Sequence, residues 1–173
     1  MPLIEDLIRR AFALEARPPA GTLSASAEGD EGPLLEADFK DKADWRALDA
    51  AFLDQAPGGY ASALSFFSPE ALRYFLPAYL LADLAGQLDR VEPVAALCLG
   101  FSSAARSQLV NQRRFGQLTR FESAARRFSI LSRDQACAVV AYLEQKAKTA
   151  EGPDAALIAE ALANHWRPRC NGG

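Results

Sequence analysis

The chain has 173 residues, half of them hydrophobic, and a formal net charge of −3 at pH 7. This length predicts one domain with a sizeable core, and so mild a charge identifies no class of partner. No apolar run approaches the roughly 18 residues that cross a bilayer. The start of the chain mixes charged and apolar side chains, which argues against a secretory signal. We therefore expect a cytoplasmic protein.

Charge is divided along the sequence. Residues 1–60 hold 12 acidic and 6 basic side chains, whereas residues 101–133 hold seven arginines and a single glutamate. Alanine is abundant and β-branched residues are scarce, which favours helix over sheet. We predict an all-α fold, a compact bundle of six to eight helices around a central proline-kinked helix. A single domain is expected to cover residues 1–173.

The first helix is predicted over about residues 3–16, because Ile4, Leu7, Ile8 and Leu14 recur at helical spacing. Residues 17–33 are rich in Pro, Gly, Ser and acidic side chains, and we expect a mobile acidic loop. Their EGDEG run lacks the ligand pattern of a calcium loop and favours a solvated turn. The short stretch 34–39 fits either a helix or a strand.

Asp44 is expected to cap a helix over residues 45–55, which Pro57-Gly58-Gly59 ends. The central helix then follows within Ser65–Gly86. Ser68 is its predicted N-cap, and Pro69 suits the first helical position. Pro77 predicts a kink, and a functional hinge is the alternative.

Beyond the central helix, residues 91–101 fit a short helix or a buried strand. Gly116 interrupts the arginine-rich stretch, so we predict two helices, at about 103–115 and 119–128. A Thr119–Glu122 capping box opens the second of these. Their expected core contacts are Phe115, Leu118, Phe121, Ala125 and Phe128.

The last part of the chain is also predicted to be helical. Ser132 and Gln135 form a capping box that opens a helix reaching about residue 149. Asp154 is expected to cap the final helix, and residues 167–173 to form a frayed tail.

Two stretches resemble an uncharacterised bacterial family, a domain of unknown function. SFFSPEALRYFLPAYLLADL, residues 65–84, is similar to its F-x-[ST]-P-E-A-x-R-Y-[YF]-L-P-A-Y signature. RFSILSRDQACAVVAYLEQ, residues 127–145, is similar to its second block, with Arg133 where that pattern has proline. The resemblance implies a small helical bacterial protein and brings no catalytic residues.

Motifs of catalysis are missing from the sequence. It has no Cys-x-x-Cys, no H-E-x-x-H, no glycine-rich phosphate loop and no nucleophile elbow. Its one histidine, His165, is expected to be structural, because no spacing supplies partners for a metal. We predict no cofactor and no metal, and the sequence leans away from an enzyme.

The three cysteines are Cys98, Cys137 and Cys170. Their odd number and wide spacing argue against a disulfide framework and favour a reducing compartment. Cys98 and Cys137 have apolar neighbours and are expected in the core. Cys170 is expected to be a bystander near the chain end.

The charge division is the functional signal. The arginines of Arg106–Arg133 could pair with the acidic first third, bind an acidic protein, or contact nucleic acid. The acidic region could equally mask a basic site on another protein, as immunity proteins do with toxins. We predict a protein-binding module without membrane association, and an immunity protein as its most concrete version. A small enzyme with a carboxylate and arginine cleft, or a nucleic-acid-binding protein, are the alternatives. The candidate partner-binding residues are Glu28, Asp30, Glu31, Glu36, Asp38, Asp41, Arg106, Arg113, Arg114, Arg120 and Arg127.

Overall fold

The structure is a computed structural model, and it describes residues 3–25, 29–59 and 62–172. Within these ranges the regular structure is helical, and the β pairing consists of two isolated bridges. The all-α prediction is therefore confirmed. The chain divides into two compact units, residues 1–93 (unit 1) and 94–173 (unit 2). The single domain stays a prediction.

Unit 1 contains five helices in the part of the chain that is described. They are α1 (Ile4–Ala11), α2 (Glu31–Phe39), α3 (Ala50–Gln55), α4 (Ala63–Phe66) and α5 (Pro69–Leu84). Helix α6 (Pro93–Cys98) begins at the boundary and leads into unit 2. The helices that follow are α7 (Gln112–Phe115), α8 (Arg120–Phe128), α9 (Arg133–Ala147), α10 (Gly152–Ala161) and α11 (Arg167–Asn171).

Helix α5 is the central element of unit 1, as predicted. The Ser68 hydroxyl oxygen accepts the Ala71 N–H at 3.2 Å, and Pro69 occupies the first turn. Ten of the 16 residues of α5 are buried, so it packs on more than one face. The helix continues through Pro77 to its end. Neither α5 nor any other helix in the described ranges is long and apolar enough to cross a membrane.

An aromatic cluster joins α2 to its neighbours. The Phe39 ring lies 4.9–5.0 Å, centroid to centroid, from the rings of Phe52, Phe67 and Phe75. Such pairs contribute about 0.5–1.5 kcal/mol each beyond area burial. Leu35 and Phe39 are both fully buried, one helical turn apart. Residues 34–39, left open between helix and strand, therefore belong to a helix, α2, that buries one face in this cluster.

Helix α1 is shorter than predicted, and the prediction of a helix to residue 16 was wrong. It ends at Ala11, and Leu14 is 97% exposed. Fully buried Phe12 leaves helical geometry, with φ −109° and ψ 9°. Beyond it, the Arg17 guanidinium donates to three carbonyls at the end of α2, at 2.7–2.9 Å. These contacts hold the chain in a course that a longer helix could not follow.

The acidic loop is fastened to α2 over its first part. The Glu36 carboxylate accepts the N–H groups of Gly21, Leu23 and Ser24 at 2.5–3.1 Å. Ser24 also pairs with Phe67 in an isolated bridge. Residues 31–33, expected in the loop, belong to α2.

The single helix predicted over residues 45–55 is also wrong. A 3₁₀ turn, Trp45–Ala47, comes first, and α3 follows after a break. The Asp44 carboxylate accepts the Arg46 N–H at 2.9 Å, and the Asp49 carboxylate accepts the Phe52 N–H at 2.7 Å. Each aspartate therefore caps its own short element.

Residues 91–101, left open between helix and strand, form α6 and a 3₁₀ turn, Leu99–Phe101. Gly100 allows α8 to approach this turn closely, because a Cβ there would lie 2.3 Å from the Ala124 Cβ. Phe101 is fully buried, with its ring 5.7 Å from that of Trp166. The core of unit 2 is built around this turn.

The two capping boxes of unit 2 are confirmed at the starts of α8 and α9. The helix predicted over 103–115 is wrong. It is replaced by a 3₁₀ turn, Ser103–Arg106, and the single turn of α7. Phe115, expected in the core, is 47% exposed. Phe128 is buried, whereas the other three expected core residues of this region, Leu118, Phe121 and Ala125, are half-buried.

The C-terminal residues are docked rather than frayed. Residues 167–171 form α11, and the Arg167 guanidinium pairs with Glu144 of α9 at 2.9 Å. The Arg133 Nε donates to the Cys170 carbonyl at 2.7 Å. Asp154 caps nothing, because α10 already begins at Gly152.

A disulfide joins Cys137 of α9 to Cys170 of α11. The expectation that these cysteines stay unpaired was wrong, because the docking of α11 on α9 brings their Cα atoms to 4.8 Å. Cys98 is free and buried, as expected. The cysteines therefore no longer argue for a reducing compartment.

Candidate functional site

The arginine-rich stretch forms a closed loop in unit 2, which we call the arginine loop and define as residues 108–120. The N–H of Arg120 donates to the Gln108 carbonyl at 2.8 Å, and that of Val110 to the Leu118 carbonyl at 2.9 Å. Between these bonds, residues 111–117 are all exposed. Gly116 turns the chain back with φ +62°, a conformation that favours glycine.

The far part of the arginine loop presents an aromatic side chain next to two cations. Helix α7 carries Arg113, Arg114 and Phe115, and all three are exposed. A depression of about 290 Å³ lies beside it, lined by Phe115, Gln117, Leu118, Glu122 and Arg126. Leu109 adds a second exposed apolar side chain to the loop, with 37% of its surface accessible.

The other predicted arginines lie near the base of this loop or beyond it. The Arg106 guanidinium stacks on the Phe121 ring, 3.9 Å from its centroid, and Arg120 is exposed in the first turn of α8. Arg127 is half-buried against Phe128, and burial lowers the pKa of its guanidinium. The structure thus brings four of the five predicted arginines to one exposed segment and its flanks.

Three of the exposed arginines have no ion pair with a described carboxylate of unit 2. No described carboxylate of this unit forms a salt bridge with Arg106, Arg113 or Arg120. Glu122, the one acidic residue nearby in sequence, serves the capping box instead. Its carboxylate accepts the Thr119 N–H at 2.9 Å, and this bond lowers the pKa of Glu122. Pairing with the acidic first third of the chain stays a prediction.

The predicted acidic residues have mixed environments, and Glu28 lies outside the described residues. Glu36 is engaged with backbone amides of its own unit, as described above, and the Asp38 carboxylate accepts the Gly58 N–H at 2.8 Å. Asp30 and Asp41 are exposed, and Glu31 is half-buried at the start of α2. Three of the acidic candidates therefore remain on the described surface.

The two units carry opposite net charges. Unit 1 has 16 acidic and 8 basic residues, a net charge of −8, whereas unit 2 has 6 acidic and 11 basic residues, a net charge of +5. The charge division noted along the sequence is therefore also a division between compact units. Each unit therefore has an electrostatic field of its own sign.

Unit 1 contains a groove of about 490 Å³ that the sequence did not reveal. It lies between α1, the 3₁₀ turn Trp45–Ala47 and α5. Its apolar lining comes mainly from α5, with Trp45 and Leu48 opposite, and its charged side chains are Arg9, Arg46 and Asp49. The lining residues are Arg9, Trp45, Arg46, Leu48, Asp49, Ala50, Ala78, Leu81, Ala82, Ala85 and Gln87.

Two signals in the sequence could have pointed to these features. Ala78, Ala82 and Ala85 are small residues spaced by four and three, which places them on one face of α5 and leaves space beside it. Phe115 stands immediately before a glycine in a polar stretch, a setting typical of a turn rather than a core. Neither signal reveals what lies opposite in the fold.

No group of three or more His, Cys, Asp or Glu side chains in the described ranges could hold a metal ion. His165 is 7% exposed and stacks on Phe101, with ring centroids 3.8 Å apart. Burial, with a smaller contribution from the charge of Arg169, lowers the pKa of His165 to about 4. The imidazole is therefore neutral at pH 7.

Comparison with known proteins identifies a family without a known activity. The family model described as "Family of unknown function (DUF6714)" matches residues 3–170. Neither a curated protein nor a solved structure matches the chain. The match agrees with the expectation of an uncharacterised domain.

Proposed function

The chain belongs to the family of unknown function DUF6714, and we propose that it is a protein-binding module whose arginine loop contacts an acidic partner. The observation that carries this proposal is the exposure of Phe115 beside Arg113 and Arg114. Aromatic residues and arginine are enriched among the side chains that dominate binding energy at protein interfaces. A loop closed at its base presents them with little ordering cost on binding.

The chemistry of the loop describes its partner. Exposed arginines pair bidentately with carboxylates, so the partner surface is acidic. Phe115 and Leu109 are both apolar and exposed, so the partner also offers an apolar recess between its carboxylates. Complementary charge speeds the encounter of two such surfaces and helps to select the partner.

The most concrete version of a protein-binding role is a bacterial immunity protein that neutralises a toxin by direct binding, with unit 1 rather than the arginine loop as the contact surface. Support comes from the opposite charges of the two units, because the acidic surface of unit 1 would complement a basic toxin site. Residues 65–84 would carry the family signature. A cytoplasmic location and the absence of membrane association belong to the same proposal.

The test is affinity purification of the tagged full chain from its native cells, with matched variants. Arg113→Glu reverses a loop charge, and Lys148→Glu reverses an exposed charge elsewhere in unit 2. Phe115→Ala removes the loop aromatic, and Leu99→Ala removes an exposed apolar side chain outside the loop, 64% accessible. We expect a stoichiometric protein partner that is lost with both loop variants and kept with both controls. Equal recovery with all four variants would refute the proposal.

Nucleic-acid binding is the second candidate, and the same exposed Phe115 beside two arginines favours it. Bases of a single strand stack on exposed aromatic rings while arginines contact the phosphates. Binding of a fluorescent single-stranded oligonucleotide should then weaken steeply with salt, and each lost arginine should lower the salt slope by about one. If oligonucleotide affinity changes neither with salt concentration nor with the Arg113→Glu substitution, nucleic-acid binding is excluded.

The groove of unit 1 gives little support to the enzyme alternative, although arginine and carboxylate side chains line it. The Asp49 carboxylate caps α3, and Arg46 pairs with Asp44 at 3.1 Å. Side chains held in such structural contacts are poorly placed to transfer protons. The groove therefore has the character of a binding site.

A further inference from the structure

The groove of unit 1 has the size and lining of a small-molecule site. Its volume of about 490 Å³ lies within the usual range of ligand pockets, about 300–1,000 Å³. Such pockets combine a mostly apolar lining with a few placed polar groups. The groove follows this pattern, with alanine and leucine along α5 and charged side chains from α1 and the 3₁₀ turn.

The apolar side of the groove is open because its residues are small. Ala78, Ala82 and Ala85 line it together with Leu81, and Leu48 lines it from the segment before α3. A larger side chain at any of the three alanines would occupy the space. An apolar chain lying along α5 would be removed from water there, which is favourable by about 0.8 kcal/mol for each buried methylene.

The charged part of the groove lining contains side chains of both signs. Two guanidinium groups and one carboxylate line it, within a unit whose net charge is −8. Arg46 is held by Asp44 and by the Ala13 carbonyl, at 3.1 and 2.9 Å. Because Asp44 pairs with Arg46, Arg9 is the lining guanidinium that no described carboxylate neutralises.

Arg9 is the cation that is free to bind. It is exposed in the last turn of α1 and forms no hydrogen bond or ion pair with any described residue. Arg10, its neighbour, is also exposed but does not line the groove. An unpaired guanidinium at the edge of an apolar groove is complementary to a carboxylate attached to an apolar chain.

We propose that this groove binds an amphipathic carboxylate, with its apolar chain along α5 and its carboxylate paired with Arg9. A chain of about eight carbons, octanoate, is the probe. This binding site is separate from the arginine loop, which lies in unit 2. The Arg113→Glu change should therefore leave octanoate binding intact.

The experiment is a titration of the ¹⁵N-labelled full chain with octanoate, followed through the two tryptophan indole signals. Trp45 lines the groove and Trp166 lies in the core of unit 2. A Trp45→Phe variant assigns the two signals. We expect saturable movement of the Trp45 signal alone, no movement with 1-octanol at equal concentration, and at least tenfold weaker binding of octylammonium.

Variants locate the two ends of the probe. Arg9→Ala should weaken octanoate binding about tenfold, whereas Arg10→Ala should leave it unchanged. Ala85→Phe should block binding by filling the groove, whereas Ala47→Phe, an exposed change outside the lining, should not. Equal binding of octanoate and octylammonium, an Arg9→Ala affinity equal to the wild type, or no saturable movement of the Trp45 signal would each overturn the proposal.

Discussion

Breaking the Cys137–Cys170 disulfide should destabilise unit 2. The bond joins α9 to α11 and connects residues that are 33 positions apart in sequence. A covalent link removes chain entropy from the unfolded state, and for a loop of this length the loss corresponds to about 3–4 kcal/mol at 25 °C. After reduction the exposed Arg167–Glu144 ion pair still joins α11 to α9, but such pairs contribute only about 1 kcal/mol or less and cannot replace the disulfide. Reduction should therefore lower the free energy of unfolding by about 3 kcal/mol.

The assay is urea unfolding followed by circular dichroism, with and without a thiol reductant. Thiol counting by mass spectrometry should find one free cysteine, Cys98, before reduction and three afterwards. The Cys137→Ser/Cys170→Ser double variant should unfold like the reduced protein and ignore the reductant. A Cys98→Ala variant should keep the full response to the reductant.

Two results would refute this reasoning. If the thiol count rises from one to three and the unfolding midpoint does not move, loop closure does not stabilise unit 2. If air-oxidised protein already shows three free thiols, Cys137 and Cys170 are not bonded in solution. The second result would restore the cysteine argument for a reducing compartment.

Three further predictions concern single positions. Gly100→Ala should destabilise the protein by about 1–3 kcal/mol in urea unfolding, because its Cβ would lie 2.3 Å from that of Ala124. A companion Ala124→Gly change should restore part of the lost stability. A Gly100→Ala variant as stable as the wild type would contradict the close approach of α8. Because burial holds the pKa of His165 near 4, below its unfolded value of about 6.5, the unfolded chain binds the extra proton. Stability should be complete above pH 6.5 and fall by roughly 2–3 kcal/mol as pH decreases toward 4, and identical pH profiles for wild type and His165→Phe would disprove this. Ser68→Ala should cost about 1 kcal/mol in urea unfolding by removing the cap on the Ala71 N–H, and an unchanged midpoint would contradict that role.

Helix starts were predictable from sequence because their chemistry is local. Ser68 caps α5 through an amide three residues away, and the Thr119–Glu122 box closes within the first turn of α8. Where two such signals stood close together, the prediction failed. Asp44 and Asp49 each cap a separate element, and the apolar pattern across them suggested one continuous helix.

The candidate sites were less predictable than the helices. Sequence identified the arginines of the loop by their number and sign, and the structure then placed Arg113 and Arg114 at its exposed part. It misjudged Phe115, because the apolar residue was assigned by helical spacing, whereas the glycine after it indicates a turn and its helix is one turn long. The groove was invisible, since it depends on Arg9 and α5 residues about 70 positions apart.

The sequence by itself determined the all-α class, the starts of the main helices and the division of charge. These properties depend on composition and on hydrogen bonds that close within one helical turn. Only the tertiary structure decided the Cys137–Cys170 bond, the docking of α11, the groove beside α5 and the exposure of Phe115. Each of these requires residues distant in sequence to meet, or to fail to meet, and that outcome is set by how the helices pack.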